Sequence, residues 1–334
     1  MTLRRAGILC LAAGAAFSLS AGEISRSDEK TFDLKPGGSV AILADEGDVE
    51  VRGWNRDEAR LRTRVTVWAR RRDDAEEMLK RIKPDARLEN GRLTVREPDF
   101  GRDHNQGFFD FLDGEFMGGG RGFSIDYSLD VPAATDVRVD ADEGDVALTG
   151  LSGRVDLVVD EGDVQIENLE LTGGRIEADE GNVRIRNIRH TRAARLMISV
   201  DEADIRLADA SLASLEAEAD EGNVVLENVT MGSCRLSADE GDIIADFTPD
   251  GEGPFRAEAD EGDVRLTVPE DASLDVDCRS DEGDVRSDFD LDRERTEEGG
   301  RLYGRIGDGK ATLRVIVSEG NITLMRRARK KDLD

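Results

Sequence analysis

One four-residue unit decides most of what this chain can become. Asp45-Glu46-Gly47-Asp48 recurs in tetrads beginning at Asp142, Asp160, Asp220, Asp239, Asp260 and Asp281, and in variant form at Asp179, Asp201 and Ser318, ten copies in all. From Asp142 onward the copies follow at 18, 19, 22, 19, 19, 21 and 21 residues, and a final gap of 37 predicts two coils with a degraded copy at Glu297, Glu298 and Gly299. Internal repetition with a period of about 20 residues is the signature of a stacked repeat architecture.

Both flanks of the tetrad alternate between apolar and polar residues. Val137, Val139 and Ala141, Val155, Leu157 and Val159, or Leu313, Val315 and Val317 precede a tetrad; Val146 and Leu148, Val164 and Ile166, or Val264 and Leu266 follow one. Period-two alternation marks a strand buried on one face. Each unit therefore reads as strand, acidic turn, strand, second turn. A lone unit cannot bury its apolar face, so coils must stack, each strand pairing in parallel with its equivalent one repeat later. The expected fold is all-β, a parallel β-solenoid of roughly 20-residue coils with a small N-terminal β/α segment. Only 4% of residues are aromatic while 36% are charged, which suits a thin core.

Glycine in the tetrad can take a positive φ without steric cost, and Asp or Asn beside it can hydrogen-bond nearby backbone, so Asn182, Asn223 and Asn321 replace the last Asp without loss. Turn chemistry does not ask for the Glu present in every copy, and 26 of the 74 carboxylates lie in these turns. Stacked oxygen ligands suit Ca²⁺ or Mg²⁺. The candidate weak metal ligands are Asp142, Glu143, Asp145, Asp160, Glu161, Asp163, Asp179, Glu180, Glu221, Asp239, Glu240, Asp242, Asp260, Glu261, Asp263, Asp281, Glu282 and Asp284. The competing reading is a solvated acidic edge that also deters edge-to-edge aggregation. At Ala203, the one tetrad position without glycine, a reshaped turn is expected. A second column, Asn168, Asn187, Asp209 and Asn228, is expected to hydrogen-bond from coil to coil as a structural feature.

Five segments follow. Residues 1–22 read as a secretory signal, with Arg4 and Arg5, an apolar run from Ala6 to Leu19 and small residues Ser20 to Gly22. Residues 23–97 hold the first tetrad, a strand through Leu61, Thr63, Val65 and Val67, a helix from Asp73 to Lys83 capped by Asp73 and buried through Ala75, Met78, Leu79 and Ile82, and a hairpin at Asn90-Gly91. Residues 98–123 are rich in glycine and phenylalanine; Phe108, Phe109, Phe111 and Phe116 are candidate partner-binding residues, against a loop folded back on the body. Residues 124–325 form the repeat body, and 326–334 a solvated basic tail.

Formal net charge is −28, which argues against nucleic acid and anionic lipid as partners of the body. Cys234 and Cys278 both face the core in adjacent-but-one coils, a separation of roughly 10 Å at ~4.8 Å per coil, too far to bridge. His104 and His190, the latter placed in a turn, have no companion for a metal site or dyad.

Three stretches resemble a known family: Gly47 to Trp54 leading to the helix, Tyr127 to Gly153, and Gly307 to Leu324. The chain is similar there to the bacterial cell-envelope proteins catalogued as domain of unknown function 4097 and called adhesins by association. The resemblance implies an extracytoplasmic β-solenoid with no catalytic residues to carry over. Family members more often have small polar residues before the turn glycine, so the acidic edge is this chain's own feature. The reading is a non-enzymatic exported protein of the periplasm or cell surface, a monomer that binds a surface polymer or an envelope protein. Its competitors are an envelope-stress accessory acting through residues 98–123 and a polysaccharide-active β-helix enzyme. Carboxylates repeated along an edge do not form the single asymmetric constellation that catalysis needs.

Overall fold

The computed structural model describes residues 23–98, 122–190 and 194–327, and among these lie 26 strands and one helix. The fold is all-β, and the chain divides into two compact units, Met1–Ala147 and Leu148–Asp334.

In the first unit the strands flanking the tetrads fall into two columns. Before the turns, Ser39–Glu46 lies between Arg92–Arg96 and Asp136–Glu143, parallel to both. After them, Val49–Trp54 pairs in parallel with Gly122–Pro132, which runs antiparallel to Ala59–Trp68, itself antiparallel to Glu23–Phe32. The strand Glu23–Phe32 escapes sequence reading because only Ile24 and Ser25 among its residues are buried, leaving no alternation to detect. The hairpin is present: Asn90 and Gly91 have φ of 50° and 78°, the conformation that joins Asp85–Glu89 to Arg92–Arg96 by a two-residue turn. The helix spans Arg72–Arg81 and buries Ala75, Met78 and Leu79 as expected, but it starts before Asp73, which therefore lies in the first turn and makes no cap. At its other end the Arg26 guanidinium donates to the carbonyls of Leu79 (2.6 Å) and Ile82 (2.8 Å), placing a cation where the helix exposes acceptors.

In the second unit, alternation produces the parallel stacking that the repeat requires. Arg154–Glu161 pairs with Gly173–Glu180, that strand with Arg195–Glu202, and so on through Ser211–Glu221 and Val224–Glu240 to Phe255–Glu261. Val155, Leu157, Val159, Val164 and Ile166 are at most 2% exposed. Burying each such side chain contributes about 1.5–3 kcal/mol, and the neighbouring coil is what makes burial possible.

After Phe255–Glu261 the stacking departs from chain order. The closing strand Ala311–Glu319 inserts between Phe255–Glu261 and Leu274–Glu282, parallel to both. Its partner across the turn, Ile322–Arg327, lies likewise between Val264–Pro269 and Val285–Ser287. The expectation that every strand pairs with the next repeat is corrected here. So is the all-parallel sheet, because Gly300–Ile306 runs antiparallel to Leu274–Glu282 and Asp292–Arg295 antiparallel to Gly300–Ile306. The residues between Asp281 and Ser318 form this meander, not a second parallel coil, although the Glu298 carbonyl accepts from Gly283 N–H (3.0 Å) as a tetrad Glu would.

Cys234 is aligned with Phe255, Phe255 with Leu313 and Cys278 with Val315, so the inserted strand adds a third spacing, an offset of two residues runs along the strands, and the thiols stand roughly 16 Å apart. Both are buried and free, and burial pushes each thiol up to about 12. Arg326 and Arg327 do not begin a solvated tail. They end the last strand, where Arg327 binds Asp246 and Thr248, and Arg326 binds Asp288 and Glu270. His190 ends the strand Val183–His190 and is not in a turn.

Candidate functional site

The turn glycines are required twice over. Their φ values run from +116° to +149°, and a Cβ on Gly181, Gly222, Gly241, Gly262, Gly283 or Gly320 would strike backbone of the adjoining coil: Gly241 would meet the Gly222 carbonyl at 2.2 Å, Gly320 that of Gly262 at 2.0 Å. Turns are tied to their neighbours by two backbone bonds, as when Gly222 N–H donates to the Glu240 carbonyl (2.9 Å) and Val224 N–H to that of Asp242 (3.0 Å), while on either side of Ala203 the tie is the single bond from Val183 to Asp204 or from Ile205 to Asn223.

The fourth tetrad position supplies the third tie. A side-chain oxygen of Asp163 accepts from Asn182 N–H (2.9 Å), Asp204 from Asn223 (2.8 Å), Asn223 from Asp242 (2.9 Å), Asp242 from Asp263 (2.8 Å), Asp263 from Asn321 (2.9 Å) and Asn321 from Asp284 (3.0 Å). Asp and Asn both carry the acceptor used, which is why they interchange. From Asp163 to Asp284 this chain of bonds is interrupted among the described residues between Asn182 and Asp204. Ala203 adjoins that break and lacks a positive φ, so the turn is reshaped as expected. Against a desolvation that would raise it, the Arg184 guanidinium and the Asn182 N–H groups hold the Asp163 carboxyl below its usual range.

The first two positions face water at every copy from Asp45 to Asp281. Desolvation, then the charges of Asp201 and Asp160 in the flanking coils, hold Asp179 above the usual carboxylate range. The candidate metal ligands thus separate into two groups. Asp163, Asp242, Asp263 and Asp284 of the fourth position bind backbone N–H or arginine, while Asp142, Glu143, Asp160, Glu161, Asp179, Glu180, Glu221, Asp239, Glu240, Asp260, Glu261, Asp281 and Glu282 are exposed, Asp281 paired with Arg279 and Asp260 accepting from the Ser318 hydroxyl. Asp145 donates its N–H to Asp48 (3.1 Å). Among the described residues no three His, Cys, Asp or Glu side chains converge on a position that could hold a metal ion. The second column behaves as expected and adds a feature unseen in sequence: Asn168, Asn187, Asp209 and Asn228 all have φ of 53° to 58°, with Asn187 donating to Asn168 and Asn228 to Asp209 (2.8 Å).

At the first tetrad, residues outside the repeat stand in for a missing coil. Asp126 accepts from Asp48 N–H (3.4 Å), and Tyr127 N–H donates to the Asp48 carbonyl (2.8 Å). Glu97 is 8% exposed and its carboxylate accepts from Asp45 N–H (3.2 Å) and Glu46 N–H (3.4 Å). Burial, then the charge of Asp45, pushes the Glu97 carboxyl up to about 7. The Tyr127 hydroxyl is buried with no hydrogen-bond partner among the described residues, and burial followed by the charges of Glu97 and Asp45 raises its pKa. No tetrad marks Glu97 or Asp126, so spacing could not have found them. Phe108, Phe109, Phe111 and Phe116, the signal segment and residues 328–334 lie outside the described residues. No described helix is long and apolar enough to cross a membrane.

Stacked coils joined by glycine turns define an all-β repeat protein. The chain belongs to the Toastrack DUF4097 family, whose model matches residues 38–192 and again 155–325. Among solved structures it is similar to a "putative adhesin" from Bacteroides fragilis (11% identity, 90% of this chain and 97% of that one, TM-score 0.38). It is also similar to a "putative lipid binding protein" from Parabacteroides distasonis (9%, 89% and 96%, 0.45) and a "putative cell adhesion protein" from Clostridium sporogenes (9%, 90% and 100%, 0.25). No curated protein matches it.

Proposed function

We propose that the chain is an exported, non-enzymatic β-solenoid of the cell envelope that binds a surface polymer or an envelope protein as a monomer. The observation that carries this reading is the repetition of one exposed acidic pair, Asp then Glu, on turns clamped to their neighbours by backbone and Asp/Asn side-chain bonds. A rigid array of equivalent weak sites gains avidity against a repetitive cationic or hydrogen-bonding surface, because each further contact is intramolecular. Family membership supports an envelope location.

The test is binding of the mature protein to envelope preparations from its own host. Binding should survive replacement of residues 99–121 by a short linker and fall stepwise as Glu180, Glu221 and Glu240 are changed to Gln. Binding lost with the loop but indifferent to the three Glu changes would replace this reading with the envelope-accessory one.

A further inference from the structure

The two tryptophans of the chain both end strands of the first unit, Val49–Trp54 and Ala59–Trp68, and they are used in opposite ways. Trp54 is engaged: its indole N–H donates to the Glu58 carbonyl (2.8 Å), and the guanidiniums of Arg56 and Arg60 lie over its ring at 4.7 and 4.9 Å. Trp68 is 37% exposed, and among the described residues its N–H has no hydrogen-bond partner and its ring no aromatic or cationic neighbour. The ring still has a fixed seat. Gly122 is aligned with Trp68 on the neighbouring strand, and a Cβ there would stand within 2.9 Å of three adjoining indole atoms, so the indole lies against bare backbone and its exposed side faces water.

The surface beside it is polar and close to neutral. Arg60, Arg62, Arg64, Thr66 and Trp68 share the outer face of their strand, because the residues alternating with them are buried. Thr66 is aligned with Ser25 on one side and Ser124 on the other, and Arg64 with Ser27 and Asp126. Arg62 is bound to both Glu29 (3.1 Å) and Asp130 (2.9 Å), and the Arg64 charge opposes the rise that burial brings to the Asp126 carboxyl. Across the three strands four acids on this face, Glu23, Glu29, Asp126 and Asp130, stand against three arginines. In a protein of net charge −28 such a face offers little field to a polyanion or a polycation. Leu43, the other large apolar side chain exposed among the described residues of the first unit, lies in the other column of strands, so Trp68 has no apolar patch around it of the size a protein interface needs.

An aromatic ring with a free side, hydroxyls in register next to it and mutually neutralised charges beyond are what an uncharged sugar chain recognises: the apolar C–H face of a pyranose stacks on the ring, while its hydroxyls donate to and accept from Ser, Thr, Arg and carboxylate groups. We propose that Trp68, with Thr66 and Ser124 beside it, is a binding platform for an uncharged β-linked polysaccharide. The platform rests on the reading of the chain as a binder of surface polymer and names the class of that polymer, on a face separate from the acidic turns. β-Linked glucans suit it because their equatorial hydroxyls leave both faces of each ring apolar. From Trp68 to Arg64 the strip runs about 14 Å, four residues at ~3.4 Å each, which places one sugar on the indole and the next over the Thr66 and Ser124 hydroxyls.

The probes are cellohexaose and laminarihexaose, followed by calorimetry and by the tryptophan emission of the mature protein, with polygalacturonate as the charged comparison. The wild type should bind at least one neutral hexasaccharide with a change in emission, and equally well at low and high NaCl. Trp68→Ala should lose about tenfold or more in affinity together with the emission change, and Trp68→Tyr should keep part of the affinity. Gly122→Ala, which retains the tryptophan but pushes the indole off its seat, should also weaken binding, and Thr66→Val should weaken it about threefold. Ile244→Ala, which removes an equally exposed side chain from the second unit, should change nothing. A melting curve like that of the wild type shows that Trp68→Ala is folded; if it is not, Trp68→Tyr and Gly122→Ala decide. Binding undiminished in the Trp68 and Gly122 variants overturns the platform, as does tighter binding of polygalacturonate, or loss of binding when residues 99–121 are replaced by a short linker. Wild type that ignores both hexasaccharides while host envelopes still bind through the acidic turns overturns the platform and leaves the envelope reading standing. Wild type that binds neither sinks both.

Discussion

The coils from Arg154 to Glu261 and the segment from Leu274 to Arg327 carry the same tetrad and the same alternating strands, yet they stack by different rules. In the first, each strand lies on its successor in the chain. In the second, the last strand of the repeat is interior: Ala311–Glu319 is covered by Phe255–Glu261 on one side and Leu274–Glu282 on the other. A strand with Leu313, Val315 and Val317 inward fits any gap lined by equivalent rows. Filling an interior position leaves the antiparallel meander, ending in the wholly exposed Asp292–Arg295, to finish the column with charged residues instead of an open parallel edge.

The largest effect that could break this comparison comes from truncation after Lys310. If the closing strand were a terminal coil, its removal would fray one end and leave the rest of the unit melting much as before. As an interior strand it leaves two unpaired edges and exposes the apolar rows on both sides, so the truncated protein should lose its cooperative transition in denaturant and bind hydrophobic dyes. An unchanged midpoint would show that the strand is peripheral in solution.

A smaller, more local test compares two glycines. Gly241→Ala forces a Cβ against the Gly222 carbonyl within the chain-ordered coils, and Gly320→Ala forces one against the Gly262 carbonyl where the closing strand enters, both at φ of +148°. Each should cost about 2–4 kcal/mol in equilibrium unfolding. A Gly320→Ala cost near zero, beside a full cost at Gly241, would mean that the inserted turn is looser than the repeated ones.

The smallest effect is expected at the first tetrad, where the neighbour is a side chain, not a coil. Because the folded-state pKa of Glu97 is raised from 4.5 to about 7, the folded protein binds its proton more tightly than the unfolded chain does. Its contribution to stability is therefore fully present below about 4.5 and is lost as pH rises toward about 7. The wild-type melting temperature should fall relative to that of Glu97→Gln between pH 5 and pH 8, with the two curves parallel above that window. Parallel curves throughout would show that Glu97 stays ionised in the fold and holds the Asp45 and Glu46 N–H groups as a carboxylate.

Much of this molecule was legible in its sequence because strand alternation, glycine turns and Asx acceptors act within a few residues. Val155-Leu157-Val159 has to face inward, Gly222 has to be glycine, and Asp242 or Asn223 has to offer an oxygen to the next backbone N–H, whatever the neighbouring coil is. The helix face at Ala75, Met78 and Leu79 and the Asn90-Gly91 hairpin belong to the same local class. What only the tertiary structure decided is which strand lies beside which. Inward rows of Val, Leu and Ala are nearly interchangeable in packing, so the sequence leaves the stacking order open, and edge closure settles it by placing Ala311–Glu319 inside. From that choice come the engagement of Arg327 by Asp246, the wider separation of the two cysteines, and the alignment of Arg314 with Arg256. Glu97 and Asp126 likewise acquire their roles only because the ladder needs acceptors where no further tetrad exists.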